Sequence, residues 1–402
     1  MSNANRRNLL RSGLAGSASF ALAAASSPFV FAKESALRMQ PDDSYVNVRQ
    51  FGAKGDGKTD DTKAIQAALN AVAQLDNLAQ PVSVFMPPGL YLSNRLQLQS
   101  NTSLIGVPAY DYEHPGGTVI KLLDAASPCL LDVSGTHGVT LHGLSLDGNG
   151  RRGSGVHGIM RSDPVPVPHV QIENVTTIDH CSVGNFSGDG IHMMNSWCWS
   201  VRHSYIRDNK GDGISVVGWD CWVADCWLSG NGGCGYRGQG DCCTTFTGNR
   251  VEWNGLQGFL AAGGAWGHTI VGNMFDYNFL SAVAAIATVG DIEPTRHINI
   301  TGNFFCRTGH VGAAAHSPDS SHVKLIAVSG FVCIGNVMRA GSDNWSLSDP
   351  CGPAYGIYHR SVTECVITNN ALHQGALVAL VDGGGGSNNV VNNNPGSLLV
   401  IP

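Results

Sequence analysis

The chain has 402 residues, a net charge of −6 and only 13% charged residues, with 51 glycines and 12 cysteines. Its 24 Lys and Arg residues are scattered and form no basic stripe, which argues against a nucleic-acid-binding protein. Low charge, abundant glycine and the absence of a long helical pattern are typical of an all-β secreted protein.

The first 32 residues are predicted to be an export signal rather than part of the fold. Arg6 and Arg7 precede two leucines and a moderately apolar stretch rich in Gly, Ala and Ser. This order predicts a twin-arginine signal peptide, with an ordinary secretory signal as the alternative. The mature protein is then expected in the periplasm or outside the cell, without stable membrane anchoring, because no later segment has membrane-spanning length.

Residues 46–106 predict a module that caps one end of the fold. A short strand at 46–48 is followed by a turn-rich loop that ends in Thr59 and Asp60, whose oxygens suit a helix N-terminus. An amphipathic helix is expected from about residue 62 to residue 74. Such a helix covers the open end of a stack of repeats, as capping units do.

One short sequence motif repeats between residues 188 and 284. A small or glycine-rich turn followed by an apolar residue recurs at intervals of 23, 22, 23 and 24 residues, at Gly188, Gly211, Gly233, Leu256 and Leu280. Apolar and polar residues alternate between these turns, which is strand periodicity. A repeat of this length leaves no room for two helices, so the repeated motif predicts stacked rungs of short parallel strands.

The predicted fold is therefore all-β: a single-stranded right-handed parallel β-helix over residues 33–402, with regular rungs at 117–300 and looser rungs at 300–402. Loops outside the rungs are expected at 164–168 and 343–356. Its side walls offer contacts for a homo-oligomer. The matched apolar residues predict an inward stack of Ile191, Ile214, Tyr236, Phe259 and Val283.

Evenly spaced cysteines suggest a second inward stack. Cys198, Cys221 and Cys243 lie 23 and 22 residues apart and are expected to be small buried side chains. One or two disulfides are possible among the other cysteines, because an exported protein folds in an oxidising compartment. No pair of CxxC motifs occurs, so no zinc site and no other metal site is predicted.

A family resemblance rests on the segment FGAKGDGKTDDTKAIQAA at residues 51–68, followed by a strand and Pro87-Pro88-Gly89. This segment resembles the opening of pectate-lyase-like and polygalacturonase-like β-helix proteins. The resemblance implies a right-handed parallel β-helix that acts on polysaccharide by hydrolysis, elimination or epimerisation. Phage tail spikes share this architecture, so the fold alone does not establish a reaction.

Strand alternation predicts a candidate site on one outer face. Asp189 and Asp212 each precede their strand and are expected to be direct vertical neighbours, because rungs stack at about 4.8 Å. His192 lies beside them, and Arg237 is expected about 10 Å from His192 at the backbone, two rungs away.

These residue types suit carbohydrate chemistry. Two close carboxylates can act as proton donor and as base or nucleophile at a glycosidic bond, so Asp189 and Asp212 are predicted to be catalytic, with His192 as a proton shuttle. An arginine can bind a uronate carboxylate. The predicted substrate-binding residues are Arg237, Trp219, Gln239, Asp220 and Asp241. Tryptophans around these rungs, which suit sugar rings, are Trp197, Trp199, Trp219, Trp222 and Trp227.

The structural alternative is that the aspartates only shape the turns. Gly-Asp-Gly-Ile is also what a tight β-helix turn favours for backbone reasons, and His192 can be an ordinary surface residue. Arg237 can equally pair with Asp220 or Asp241. What distinguishes the candidate site is that two acids, a histidine and an arginine coincide on one predicted face.

Comparison with polygalacturonases matches only part of their pattern. By pattern, Asp189 corresponds to the aspartate of their N-T-D-G-I strand, and Asp212 to the second acid of their aspartate pair, with Gly211 in place of the first. Cys234 stands where their pattern has the histidine of G-H-G, and their R-I-K rung is missing. A pectate lyase implies instead a calcium site formed by acids beside basic residues.

The predicted function is a secreted carbohydrate-active enzyme, with a glycoside hydrolase or transglycosylase ranked above a polysaccharide lyase. A fructan fructotransferase is a further alternative, because Tyr355-Gly356-Ile357 and its Asn-rich ending resemble the inulin fructotransferases. A non-enzymatic glycan-binding β-helix is the alternative from another class. The predicted partner is a polysaccharide or oligosaccharide, and no cofactor is expected unless a lyase requires Ca²⁺.

Overall fold

The computed structural model describes most of the chain from residue 45 onward. The described residues are 45–73, 83–111, 114–163, 173–288, 294–309, 317–339, 341–342, 350–372, 376–396 and 399–400. The predicted signal peptide and the loop at 164–168 lie outside them, as do residues 343–349 of the second loop, so these remain predictions. No helix among the described residues has the length and apolar character needed to cross a membrane.

The N-terminal module contains the predicted helix. A 3-10 turn occupies Val48–Phe51 and the α-helix occupies Thr62–Ala73. The N–H of Thr62 donates to Oδ1 of Asp60 at 3.0 Å, as expected for a cap. Asp61 accepts two backbone N–H groups of the preceding loop at 2.7 and 3.0 Å, which fixes the loop against the helix. The helix packs against the first strands of the solenoid.

Three long parallel sheets form the walls of the solenoid, and in a complete rung the chain passes through them in the order A, B, C. Sheet A contains Tyr45–Asn47, Ser83–Phe85, Ser103–Ile105, Val139–His142, Thr176–Asp179, Trp199–Arg202, Trp222–Ala224, Thr245–Thr247, Thr269–Val271, Asn299–Thr301, Val332–Ile334, Val366–Thr368 and Val390–Asn392. Sheet B contains Asp56–Asp60, Gly89–Ser93, Thr118–Leu122, Leu144–Asp147, Ser182–Gly184, Tyr205–Arg207, Trp227–Ser229, Arg250–Glu252, Met274–Asp276, Phe304–Cys306 and Val337–Arg339.

Sheet C forms the wall on which the candidate site lies. It contains Leu96–Gln97, Cys129–Asp132, His157–Ser162, Ile191–Trp197, Ile214–Trp219, Tyr236–Gln239, Phe259–Ala262, Val283–Ile286, Ser321–Ile326, Tyr355–Arg360, Val378–Asp382 and Leu399–Val400. Two short pairs join Gly341–Ser342 to Pro350–Cys351 and Val362–Thr363 to Gly386–Ser387. The predicted right-handed parallel β-helix is confirmed, since each strand of a wall pairs in parallel with the strand one rung away.

The predicted apolar stack is present in the core. Ile191, Ile214, Tyr236, Phe259 and Val283 are register partners in successive rungs of sheet C, and each is at most 1% exposed. The Tyr236 and Phe259 rings stack with centroids 4.5 Å apart and planes at 10°. Vertical stacking of like side chains therefore forms the core, as expected for a solenoid that buries each rung against its neighbours.

The predicted cysteine stack is wrong. Cys198 and Cys243 are only half-buried and occupy a corner with positive φ (54° and 58°), whereas Cys221 is fully buried one position further along. A bulge in the strand Ile191–Trp197, where Asn195 has φ 54° and the register shifts by one residue, separates Cys198 from Cys221. A second register change, between the pairs Ile214↔Tyr236 and Trp219↔Cys242, separates Cys221 from Cys243. Every cysteine whose side chain the structure describes is a free thiol.

Asparagine ladders occupy two corners of the coil. At one corner Asn209, Asn231, Asn254 and Asn278 bond to one another from rung to rung. At the other corner, Asn273 accepts from the N–H and Nδ2 of Asn249 and donates to Oδ1 of Asn303 and to the Phe246 carbonyl, all at 2.9–3.0 Å. These side chains satisfy backbone groups that the tight corners leave without a ladder partner.

Replacing Asn273 by Ala is therefore expected to lower the free energy of unfolding by about 3 kcal/mol, because several buried donors and acceptors lose their partner. Asn392→Ala is the control, since that side chain is exposed on the last sheet A strand. Chemical denaturation of both variants measures the difference. Equal midpoints for the two variants would show that the ladder contributes nothing specific.

Candidate functional site

The corner between sheets B and C carries a vertical column of side chains that bond to the next rung. The N–H of Asp189 donates to Nδ1 of His157 at 2.9 Å, and the N–H of Asp212 donates to Oδ1 of Asp189 at 2.8 Å. The N–H of Cys234 donates to Oδ1 of Asp212 at 2.6 Å. Asp189 and Asp212 are thus direct neighbours, as predicted, and both also stabilise the turns.

Asp189 holds a histidine pair. Its Oδ2 lies 2.8 Å from Nδ1 of His192 and 3.6 Å from Nδ1 of His157, and the two imidazoles stack with centroids 4.3 Å apart. Burial works to raise the pKa of Asp189, but the hydrogen bonds from His192 and from the Asp212 N–H lower it below its usual value. Asp189 is therefore an ionised carboxylate that orients His192.

The hydrogen bond to His157 determines which of its ring nitrogens carries the proton. Nδ1 of His157 accepts a backbone hydrogen bond, so its proton is on Nε2 in the neutral ring. Burial and the neighbouring His192 lower the pKa of His157 to about 4, against 6.5 for an unperturbed side chain. His157 is consequently a neutral hydrogen-bond donor at neutral pH, and the pair does not carry two positive charges.

This burial predicts a pH dependence of stability. The pKa of His157 is lower in the folded than in the unfolded protein, so its contribution is complete above pH 6.5 and is lost as pH falls toward about 4. Asn can accept the same hydrogen bond without titrating, so between pH 7 and 4 the wild type should lose about 3 kcal/mol more stability than His157→Asn. Denaturation curves at a series of pH values measure this, and parallel pH profiles for the two proteins would refute it.

Asp212 forms an ion pair with Arg237. Nε of Arg237 lies 2.6 Å from Oδ2 and Nη2 lies 3.2 Å from Oδ1, while the Asp212 side chain is only 9% exposed. The hydrogen bonding to Asp212 raises the pKa of Arg237 further, so its guanidinium stays charged. Arg237 thus pairs with Asp212 rather than with Asp220 or Asp241. The guanidinium donates to both carboxylate oxygens of Asp212. Asp189 and Asp212 are therefore not two carboxyl groups that are both available to a substrate.

The outward row of sheet C brings the histidine and the arginine to one face. His192, Ser215 and Arg237 are register partners in three successive rungs, and all three are partly exposed. Their backbones are about 10 Å apart from first to last, as predicted. The imidazole and the guanidinium therefore belong to one outward row of the solenoid wall.

The other predicted binding residues lie elsewhere. Trp219 and Asp220 are at the far end of the strand Ile214–Trp219, about 17 Å from its start. Gln239 is exposed at the end of its strand. Asp241 is fully buried and accepts from the Tyr236 hydroxyl at 2.6 Å, so it cannot contact a polysaccharide directly. We do not include these four residues in the site.

The predicted tryptophan cluster is dispersed over all three walls. Trp199 is fully buried in sheet A and Trp222 of the same wall is 41% exposed, while Trp227 belongs to sheet B. Trp197 and Trp219 are close together, with ring centroids 5.6 Å apart, at the far end of sheet C. The clustering of tryptophans in the sequence therefore does not correspond to one sugar-binding surface.

A different aromatic surface lies at the same corner as the candidate site and was not predicted. Trp253 and Tyr277 stack with centroids 3.9 Å apart, and Phe279 is 51% exposed. Together with Gly255 these residues line a cavity of about 410 Å³. A Cβ on Gly255 would lie 2.4 Å from the Gly232 carbonyl oxygen, so only glycine allows this close packing of the cavity floor. We call this cavity the aromatic pocket.

The histidine pair and Asp189 also form a candidate group of metal ligands. His157, Asp189 and His192 each offer one ligand atom, and these atoms lie within 4.8 Å of one another. Two nitrogens and one carboxylate differ from the all-oxygen set that Ca²⁺ takes. The fit is therefore poor for the calcium site that a pectate lyase implies.

Two family models match the chain. Residues 45–114 match the model described as Rhamnogalacturonase A/epimerase, pectate lyase-like, and residues 131–305 match the right-handed β-helix region. Alginate lyase 7 of Azotobacter vinelandii is 30% identical over 184 residues, which is 42% of this chain and 20% of that protein. The preneck appendage protein of Bacillus phage PZA is 27% identical over 202 residues, 46% of this chain and 20% of that protein. The chain spans about a fifth of the length of these curated relatives.

Solved structures share the fold at low identity. The mannuronan C-5 epimerase AlgE4 A-module of Azotobacter vinelandii superimposes with a TM-score of 0.57 at 19% identity, over 89% of this chain and 97% of that chain. DFA-IIIase of Arthrobacter chlorophenolicus A6, in complex with GF2, superimposes with a TM-score of 0.60 at 14% identity, over 87% of this chain and 97% of that chain. The similar proteins thus include carbohydrate-active β-helix enzymes of more than one reaction type.

Proposed function

We propose that this chain, which matches the model of the right-handed β-helix region over residues 131–305 and a pectate-lyase-like model over residues 45–114, is a polysaccharide-modifying enzyme that removes the C5 proton of a uronate unit. His192 is the base, Asp189 orients it and Arg237 binds the uronate carboxylate. The observation that carries the proposal is the 2.8 Å contact between Nδ1 of His192 and Asp189.

The contact with Asp189 sets the tautomer of His192. With Nδ1–H donating to the carboxylate, the lone pair is on Nε2, to which no described residue is hydrogen-bonded. An ionised aspartate in this position also stabilises the imidazolium that forms when Nε2 takes a proton. This arrangement suits a general base that accepts a proton from carbon.

Arg237 supplies the second requirement. The C5 hydrogen of a uronate lies next to the carboxylate, so its removal moves negative charge onto the carboxylate oxygens. A fixed guanidinium stabilises that charge as it develops, and Asp212 keeps the guanidinium in place on the same row as His192. The resulting carbanion either expels the group at C4, which is elimination, or is reprotonated from the other face, which is epimerisation.

Among the similar proteins, Alginate lyase 7 and the mannuronan C-5 epimerase carry names of these two reactions, which supports the proposal. Hydrolysis or glycosyl transfer by Asp189 and Asp212, ranked first from the sequence, is the second candidate, since DFA-IIIase shares the fold. The pairing of Asp212 with Arg237 disfavours it, because neither aspartate is placed to donate a proton to a leaving oxygen.

A substrate panel tests the proposal. The protein is incubated with alginate, pectate and fructan, and each mixture is assayed for ultraviolet absorbance of unsaturated uronate, for new reducing ends and for uronate composition by NMR. We expect unsaturated ends or a changed C5 configuration with a uronate polymer. New reducing ends without unsaturation would support the hydrolase, and binding without any product would support a glycan-binding β-helix.

The aromatic pocket is expected to bind a neighbouring sugar unit of the same chain. It lies one to two rungs beyond Arg237 on the same corner, which is about 5–10 Å along the axis. Trp253→Ala should therefore raise KM about 10-fold with little change in kcat, because one ring contact is lost far from the reacting carbon. Trp222→Ala, an exposed tryptophan on sheet A, is the control. An unchanged KM for Trp253→Ala would remove the pocket from the binding surface.

A further inference from the structure

We infer that the corner between sheets A and B contains a binding site for a divalent transition-metal ion of the Zn²⁺ type, formed by His142, Asp179, His180 and His203. These residues come from three successive rungs: the strands Val139–His142, Thr176–Asp179 and Trp199–Arg202 end at this corner. Sheet B separates the corner from His192, so this cluster is independent of the proposed catalytic face.

Three imidazoles converge on one carboxylate. Nδ1 of His180 and Nδ1 of His203 lie 3.0 and 2.9 Å from Oδ1 of Asp179, and Nδ1 of His142 lies 3.3 Å from Oδ2. Ligand atoms of His142, Asp179 and His180 all lie within 4.8 Å of one another. Small side-chain rotations would place each of these atoms about 2.0–2.2 Å from a central zinc ion, which is the usual distance from zinc to a nitrogen or oxygen ligand.

The donor set selects the kind of ion. Three histidines and one carboxylate suit zinc and its neighbours, whereas Ca²⁺ and Mg²⁺ take oxygen ligands. The four side chains are 27–48% exposed, so an ion can enter from solvent without opening the fold.

The corner itself does not require histidine. His180 and His203 have φ 50° and 46°, in the left-handed region that favours glycine, and two later corners of the same column use Gly248 and Gly272 with φ 67°. Two successive histidines at these positions therefore serve the cluster rather than the turn. Other charged groups nearby are Arg202, the register partner of Asp179, and Asp225, whose Oδ2 lies 3.8 Å from Nε2 of His203.

Metal binding to the untagged, chelator-treated full chain tests the inference. Isothermal titration with Zn²⁺ is expected to show one ion per chain at this cluster, and Co²⁺ should give the visible absorption of a tetrahedral or five-coordinate site. His180→Asn should weaken binding at least 10-fold, because Asn tolerates the same φ but removes one imidazole. Asp179→Asn is the second variant and should have a similar effect.

Two controls separate this cluster from other histidines. His114→Asn removes an exposed histidine that is paired with Asp111 outside the cluster, and should bind Zn²⁺ as the wild type does. His192→Gln removes a ligand of the histidine pair on sheet C and should retain the ion of the A–B corner. If both cluster variants keep wild-type affinity, or if only His192→Gln loses it, the inferred site is refuted. The unfolding midpoint of each metal-free variant must match the wild type, which excludes misfolding as the cause.

Discussion

His192→Gln is expected to lower kcat of the proposed uronate reaction by about 10²- to 10⁴-fold, the usual contribution of a general base. Gln can still accept or donate a hydrogen bond near Asp189, but it cannot take a proton from carbon at neutral pH. The imidazole is partly exposed and stacks only on His157, so the change should leave the fold intact. Steady-state rates on the best polymer of the panel measure the effect.

His137→Gln is the matched control. That histidine is exposed and bonds Ser100 near the start of the solenoid, away from the outward row of sheet C. Its rate should equal that of the wild type. Wild-type turnover by His192→Gln would contradict the assignment of the base.

Asp189→Asn is expected to lower kcat by a similar factor, for a different reason. The Asn oxygen can still accept the N–H of Asp212, so the turn is retained. The Asn amide, however, donates toward Nδ1 of His192, which forces the imidazole proton onto Nε2 and removes the base. A loss of about 10²- to 10⁴-fold in kcat with a nearly unchanged unfolding midpoint is therefore expected.

Asp212→Asn separates the proposal from the two-acid hydrolase. It removes the carboxylate that holds Arg237 but leaves the His192–Asp189 pair in place. Under the proposal it should mainly raise KM, through a less ordered guanidinium, and cost less in kcat than Asp189→Asn. Equal and near-complete losses of kcat in both variants would instead favour catalysis by the paired acids.

Much of the architecture follows from the periodicity of the chain. A repeat of 22 to 24 residues with strand alternation leaves few folds other than stacked parallel rungs, and matching positions then become vertical neighbours. This is why the contact between Asp189 and Asp212, and the row from His192 to Arg237, could be predicted. His157 occupies the position equivalent to Asp189 in the preceding rung, but it is not among the predicted site residues.

Partner choice and local register could not be predicted in the same way. Asp212 can bond to the side chain of Arg237 or to the backbone of the turn in the same next rung, and only the three-dimensional positions show that it does both. The bulge at Asn195 and a second register change in the next rung place Cys221 outside the column of Cys198 and Cys243, although the spacing of the three is nearly even. Trp253 was not predicted as a binding residue. Its pocket depends on the absence of a side chain at Gly255, and the positions of aromatic residues in the sequence do not show this.

The most direct test of the central claim follows the C5 hydrogen itself. A uronate polymer is incubated with the protein in D₂O, and the intensity of the C5 proton signal is followed by ¹H NMR. The account predicts that this signal disappears with the wild type, through exchange or through formation of a double bond, and persists with His192→Gln. Cleavage or rearrangement of the polymer with the C5 signal unchanged would contradict it.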